Sequence, residues 1–162
     1  MIYTPMTKLA MNVAYEAHSG QKDKSGVPYI FHPIHLAEQC PDEKTTITAL
    51  LHDVLEDCAD YTPERLAGYG FPEEILVALQ LLTHEKDMPY MDYIKRLSVN
   101  PIARCVKILD LTHNLDDSRI DDDVPDRVKE HLLQKRELYK DALTLLKKID
   151  RLAEMSLEIS EA

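Results

Sequence analysis

Prolines standing where helices begin cut this chain into short helical segments. Pro5 follows Thr4, Pro33 follows His32, Pro63 follows Thr62, Pro72 follows Phe71 and Pro101 follows Asn100, while Pro89 and Pro125 open two further segments. A proline in the first turn is tolerated because its missing N–H is a donor that a helix start leaves unpaired anyway. Between these points apolar residues recur at spacings of three and four, as in Leu9, Val13 and Ala17. Only four glycines occur in 162 residues, too few for the turns of a sheet protein. The expectation is an all-α fold in one domain spanning 1–162, with its core between about residues 5 and 150.

The spacing predicts helices from Pro5 to about His18, Pro33 to Ala37, Glu43 to about Cys58, from Pro63, from Pro72 to near Thr83, from Pro89, and from Pro101 to about Asn114. A long final helix opens at Pro125, with Val128, Leu132, Leu138, Ala142, Leu145 and Ile149 on one face. Its last dozen residues extend the helix or fray. Residues 20–32 and the acidic run 116–123 read as loops.

Hydrophobic residues at 44% suffice for a core without covalent staples. The net charge of −10 argues against a basic surface for nucleic acid, and leaves a local cationic pocket or a metal as the means of holding a small anion. Cys40, Cys58 and Cys105 form no C-x-x-C pair, and three cannot all pair internally. A reducing compartment follows as the expectation. No apolar run suggests a signal peptide or reaches membrane-spanning length, so a cytoplasmic protein without a membrane partner is expected.

The chemistry concentrates in three places. On a helix through TALLHDVLED, residues 48–57, Ile47, Leu50, Leu51, Val54, Leu55 and Cys58 share the core side. His52, Asp53, Glu56 and Asp57 then fall on the other side, within roughly 140° of arc. Carboxylates crowded against an apolar wall repel one another unless a cation or a proton intervenes, and a divalent metal answers that need. The plainer alternative is an amphipathic helix with a solvated acidic face. In VKILDLTHN, residues 106–114, Lys107, Asp110 and Asn114 form one stripe within about 60° of each other. Asp110 can ligate metal, Lys107 can neutralise phosphate or orient a carboxylate, and Asn114 can bond substrate. In KSGVPYIFHP, residues 24–33, His32 precedes a helix-starting proline, and Lys24, Ser25 and the backbone at Gly26 can meet an anion. His35, His84, His113 and His131 lack a partner motif; His35 reads as a residue behind the metal ligands or at the surface, and His113 as a packed histidine. Tyr29 suits either the core or a stacked base.

His32, then His52-Asp53, then Asp110 resembles the H…HD…D pattern of the HD superfamily of phosphohydrolases. The surrounding words, His18-x-Gly20-Gln21, Lys24-Ser25-Gly26-x-Pro28-Tyr29-Ile30-x-His32-Pro33, ALLHDVLED and VK-x-x-D-x-x-HN, are similar to the hydrolase domain of the RelA/SpoT family, in the same order. The resemblance implies an HD-domain bundle of about eight to ten helices around one Mn²⁺ or another first-row divalent ion, held by His32, His52, Asp53 and Asp110. It implies hydrolysis of the 3′-pyrophosphate of guanosine tetra- and pentaphosphate. Glu56 and Asp57 match the acidic pair that positions or activates water, and Asn114 matches a substrate-contacting asparagine. Larger relatives continue into a synthetase domain with no counterpart in this sequence, so synthesis is not expected. The small-molecule partner is a nucleotide, and the long final helix leaves room for a homodimer.

Three positions depart from the family pattern, each losing positive charge: Asp23, Leu111 and Asp116 stand where arginines are usual. An anion beside a multiply charged nucleotide is unfavourable by several kcal/mol if the contact is close. Arg104 and Arg119 are the candidates to replace the missing charge. The departures leave open a different substrate on the same site, such as a nucleoside monophosphate or NADPH, or a nucleotide-binding regulator without turnover.

Overall fold

A computed structural model describes residues 1–116, 118 and 126–160, with side chains described except at 126–133 and 157–160. The described residues form nine helices: α1 Pro5–Ala17, α2 Phe31–Glu38, α3 Glu43–Leu51, α4 Val54–Asp57, α5 Pro63–Gly68, α6 Glu73–Leu82, α7 Tyr90–Ser98, α8 Pro101–Asn114 and α9 Asp126–Ser160. Among the described residues the only β pairing is an isolated bridge between Lys22 and Pro28. No described helix is long and apolar enough to cross a membrane.

The helix starts follow their caps. Thr4, Asp42, Thr62 and Asn100 each accept a hydrogen bond from the backbone N–H three residues on, and Pro5, Pro63 and Pro101 stand in the first turn behind three of them. Pro72 and Pro89 sit one place earlier than expected, as extended cap residues just outside α6 and α7. Pro33 does not open its helix: α2 begins at Phe31, so His32 belongs to the first helical turn rather than preceding it. Pro125 lies outside the described residues.

The expected helix from Glu43 to Cys58 is two helices. α3 ends at Leu51, and Asp53 turns the backbone to φ −100°, ψ −3° before α4 begins. The Asp53 carbonyl then starts a new ladder, accepting from the N–H of Asp57 at 2.8 Å. On one straight helix the neighbours His52 and Asp53 would point about 100° apart; the break lets both side chains reach one point.

α3 is the central helix. Every residue from Thr45 to Leu51 is buried, and α1, α2, α6 and α8 pack around it. Thr46 survives inside by donating to the Asp42 carbonyl at 2.7 Å. α9 lies across α7 and α8. Its buried stripe centres on Ala142 and Leu146, with the expected Leu138, Leu145 and Ile149 half-buried at its margins. The side chains of Val128 and Leu132 lie outside the described residues. Leu152 and Met155 are exposed, so the far end of α9 runs on as helix beyond its packing.

Candidate metal centre

Three segments deliver the expected ligands to one place. His32 comes from the first turn of α2, His52 and Asp53 from the α3–α4 junction, and Asp110 from the last turns of α8. His32 Nε2 and His52 Nε2 are 3.3 Å apart, and Asp53 Oδ2 is 2.8 Å from His52 Nε2 and 3.9 Å from His32 Nε2. Asp110 Oδ1 lies 3.3 Å from His32 Nε2 and 3.9 Å from His52 Nε2. Donors held about 2.0–2.2 Å from one small divalent ion stand roughly 3–4 Å from each other, so this spacing fits such an ion. Two imidazoles with two carboxylates is a donor set suited to first-row divalent metals.

The partners behind the donors aim them. His52 Nδ1 is 2.9 Å from the Ala49 carbonyl, which can only accept, so Nδ1 carries a proton and Nε2 is the nitrogen aimed at Asp53 and the other donors. The Tyr29 hydroxyl donates to Asp53 Oδ2. Lys107 Nζ is 2.8 Å from Asp110 Oδ2, and the Asn114 amide donates to Asp110 Oδ1. His32 Nδ1 meets His113 Nδ1 at 2.6 Å. A second line of bonds runs from His18 Nδ1 to Gln21 Oε1 at 2.8 Å, and from Gln21 Nε2 to the Asp57 carbonyl at 3.3 Å. His18 Nε2 is buried without a hydrogen-bond partner among the described residues, beside Tyr29, whose ring centre is 4.8 Å away.

The electrostatics are those of a site built to hold positive charge. Burial alone would lower the His52 pKa, but Asp53 and then Asp110 outweigh it and carry it up to about 9. Burial would raise Asp53 and Asp110, yet His52 holds the first below the usual carboxylate range, and Lys107 holds the second well below it. Lys107 keeps its proton against burial because Asp110 faces it.

Glu56 and Asp57 sit exposed on α4. Glu56 Oε2 accepts from the backbone N–H of His84 at 3.0 Å. Asp57 is pushed up to about 6 by partial burial, then by the charges of Asp53 and Glu56. Beside His32 opens a cavity of about 380 Å³, lined by Val27, Pro28, Phe31, His35 and His113, with Asp23, Ser25 and Ser118 also at its wall.

The residues expected to contact substrate divide. Ser25 lines the cavity. Lys24 is exposed on the same loop, its pKa lowered by partial burial and by Lys135. Lys107 and Asn114 are held on Asp110. Of the departing positions, Leu111 is a core residue, 1% exposed. Asp23 Oδ1 accepts from the backbone of Ser25 and Val27, with Gly26 at φ +80° closing that turn. Asp116 accepts from the N–H and hydroxyl of Ser118. Arg104 does not replace the missing charge: it is buried and bonded to Asp150 and the Ser98 carbonyl. Arg119 lies outside the described residues. His113 and Tyr29 are the site residues that sequence reasoning set aside.

No protein-family model matches the chain. A segment of 61 residues is 53% identical to guanosine-3′,5′-bis(diphosphate) 3′-pyrophosphohydrolase of Vibrio cholerae, covering 35% of this chain and 8% of that protein. A segment of 83 residues is 42% identical to the protein of the same name in Borreliella burgdorferi, covering 49% of this chain and 12% of that protein. The matched segments thus span only about a tenth of these curated relatives. The fold is similar to a solved structure described as a metazoan ortholog of SpoT that hydrolyzes ppGpp, with a TM-score of 0.70 over 94% of this chain and 98% of that one, at 20% identity. The motifs that resemble the RelA/SpoT hydrolase domain therefore stand within an all-α fold of the same kind.

Proposed function

We propose that this protein is a metal-dependent pyrophosphohydrolase whose substrate is guanosine 3′,5′-bis(diphosphate), with Mn²⁺ or another first-row divalent ion held by His32, His52, Asp53 and Asp110. The observation that carries this reading is the cluster of His32, His52 and Asp53 donor atoms, with Asp110 Oδ1 3.3 Å from His32 Nε2, next to an acidic pair. The segments similar to named 3′-pyrophosphohydrolases supply the substrate class. A bound ion would contribute Lewis acidity toward phosphoryl oxygens and would ease ionisation of water.

The chain's own residues do the rest. Lys107 and Asn114 hold the Asp110 carboxylate, and Tyr29 holds that of Asp53, so both keep their aim while substrate enters. Glu56 or Asp57 takes the proton of the attacking water. Water adds at the phosphorus next to the 3′ oxygen, the bond to that oxygen breaks, and GDP and pyrophosphate leave. The cavity lining of Val27, Pro28, Phe31, His35 and His113 suits a planar base. The free thiols Cys40, Cys58 and Cys105 support work in the reducing cytoplasm.

A second reading rests on the same cavity. Its described lining contains no lysine or arginine, and Asp23 faces it. That favours a nucleotide carrying fewer charges than guanosine tetraphosphate, cleaved at the same centre. One assay separates the two: purified protein with Mn²⁺ against guanosine tetraphosphate and a panel of nucleoside phosphates and NADPH, products resolved by anion exchange. GDP and pyrophosphate in equal amounts, abolished by EDTA, support the first reading. Cleavage of another nucleotide alone supports the second. No cleavage of any, with metal bound, overturns both and leaves a nucleotide-binding regulator.

A further inference from the structure

A histidine that ligates a metal through Nε2 must carry its proton on Nδ1, and an acceptor behind Nδ1 both fixes that tautomer and aims the ring. His52 has the Ala49 carbonyl for this task. Among the described residues His32 has neither a carbonyl nor a carboxylate there; its Nδ1 stands 2.6 Å from the Nδ1 of His113. The two rings are within 8° of coplanar and their centres are 4.9 Å apart. Rings so nearly coplanar, with nitrogens this close and centres this far, meet edge to edge rather than face to face. Two lone pairs or two N–H groups would repel at that distance, so one proton lies between them.

We infer that His113 is the positioning residue for His32: its Nδ1 accepts the His32 Nδ1 proton, fixing the tautomer that turns Nε2 toward the ion. The inference rests on the proposed metal centre and concerns how tightly that centre binds. The direction of the bond follows from the ligand's need. If His32 Nε2 presents a lone pair, its proton is on Nδ1, and His113 must accept at Nδ1 and carry its own proton on Nε2.

The fold clamps the acceptor in place. His35, one turn after His32 on α2, lies against the face of His113 with ring centres 4.2 Å apart. α2 thus presents His32 to the edge of the His113 ring and His35 to its face. α8 presents Asp110 to the ion and, three residues later, His113 to the other ligand's back. A shift of α2 against α8 would therefore move His32 relative to Asp110.

The test uses Mn²⁺ alone, titrated into metal-free protein and followed by calorimetry, so that it does not depend on substrate. In His113→Leu the shape of the side chain is roughly kept and the acceptor is lost. In His113→Asn the carboxamide oxygen takes about the place of Nδ1 and can still accept. The expected result is Mn²⁺ binding weakened about 10- to 100-fold in His113→Leu, and within about fivefold of wild type in His113→Asn. All three proteins should melt at similar temperatures in EDTA. Equal affinity in His113→Leu and wild type overturns the inference and leaves the metal centre standing. Equal loss in Leu and Asn variants also overturns it, because ring bulk and not the acceptor would then matter. Wild type that binds no Mn²⁺ overturns the inference and the metal centre together. Should His113→Leu not fold, His113→Phe, which keeps a ring without nitrogen, carries the same expectation.

Discussion

Lys107→Met should destabilise the metal-free protein strongly and the metal-loaded protein weakly. Lys107 Nζ is 2.8 Å from Asp110 Oδ2, with side chains 14% and 6% exposed. At that separation the attraction is about 6 kcal/mol for an effective dielectric near 20, and desolvation of both groups offsets a large part of it. Removing one partner of such a pair typically costs about 3–5 kcal/mol, because the other charge stays buried. Asp110 retains the Asn114 amide and the imidazole of His32, which brings the expected loss to about 2–3 kcal/mol. The Lys107 ammonium also sits 5.4 Å from the centre of the Tyr93 ring, a contact contributing on the order of 1 kcal/mol. A divalent ion would take over the compensation of Asp110, so the loss should fall below about 1 kcal/mol with saturating Mn²⁺. Urea unfolding in EDTA and in Mn²⁺ measures both quantities. Lys107→Met with Asp110→Asn should be more stable without metal than Lys107→Met alone, since no buried charge is stranded. Equal losses with and without Mn²⁺, or a double variant weaker than the single one, would refute the reasoning.

Glu56→Gln with Asp57→Asn should keep fold and Mn²⁺ binding while turnover drops by about two orders of magnitude or more; a near wild-type rate would make the pair structural. Asp116→Arg, and Asp23→Arg with it, should lower the KM for guanosine tetraphosphate in steady-state assays, an effect that shrinks in high salt. Because Asp23 Oδ1 holds two backbone N–H groups, its replacement should also cost about 1 kcal/mol in urea unfolding, whereas an unchanged KM would show these positions do not set specificity. Burial pushes the Cys40 thiol up to about 12, so at pH 8 it stays protonated in the native state. Ellman's reagent should therefore label native Cys40 at least about 100-fold slower than the urea-unfolded chain, and equal rates would contradict its burial.

How far the fold and the centre can be read from the chain depends on what each signal sees. Caps and first-turn prolines act locally, so Thr4-Pro5, Asp42, Thr62-Pro63 and Asn100-Pro101 mark real helix starts. The break at Asp53 escapes such reading because apolar spacing runs unbroken from Ile47 through Val54 to Cys58. Both halves bury the same kind of residue, and only the demand that His52 and Asp53 meet shows the turn. His113 escapes for a related reason. On the α8 wheel it falls about 60° to the far side of Asp110 from Lys107 and Asn114. Its partner is on α2, which no wheel of α8 contains. Tyr29 sits in an irregular loop, where spacing says nothing about the direction of a hydroxyl. Leu111, the middle one of the three departing positions, is a core residue, so no pocket charge is missing there.

The proposed chemistry depends most directly on where a metal ion binds. The measurement is an anomalous difference map from crystals of the protein grown with Mn²⁺. The prediction is one strong peak per chain, about 2.0–2.3 Å from His32 Nε2, His52 Nε2 and one oxygen each of Asp53 and Asp110. A map with no peak among these four residues, or with Mn²⁺ bound only by Glu56 and Asp57, would contradict it.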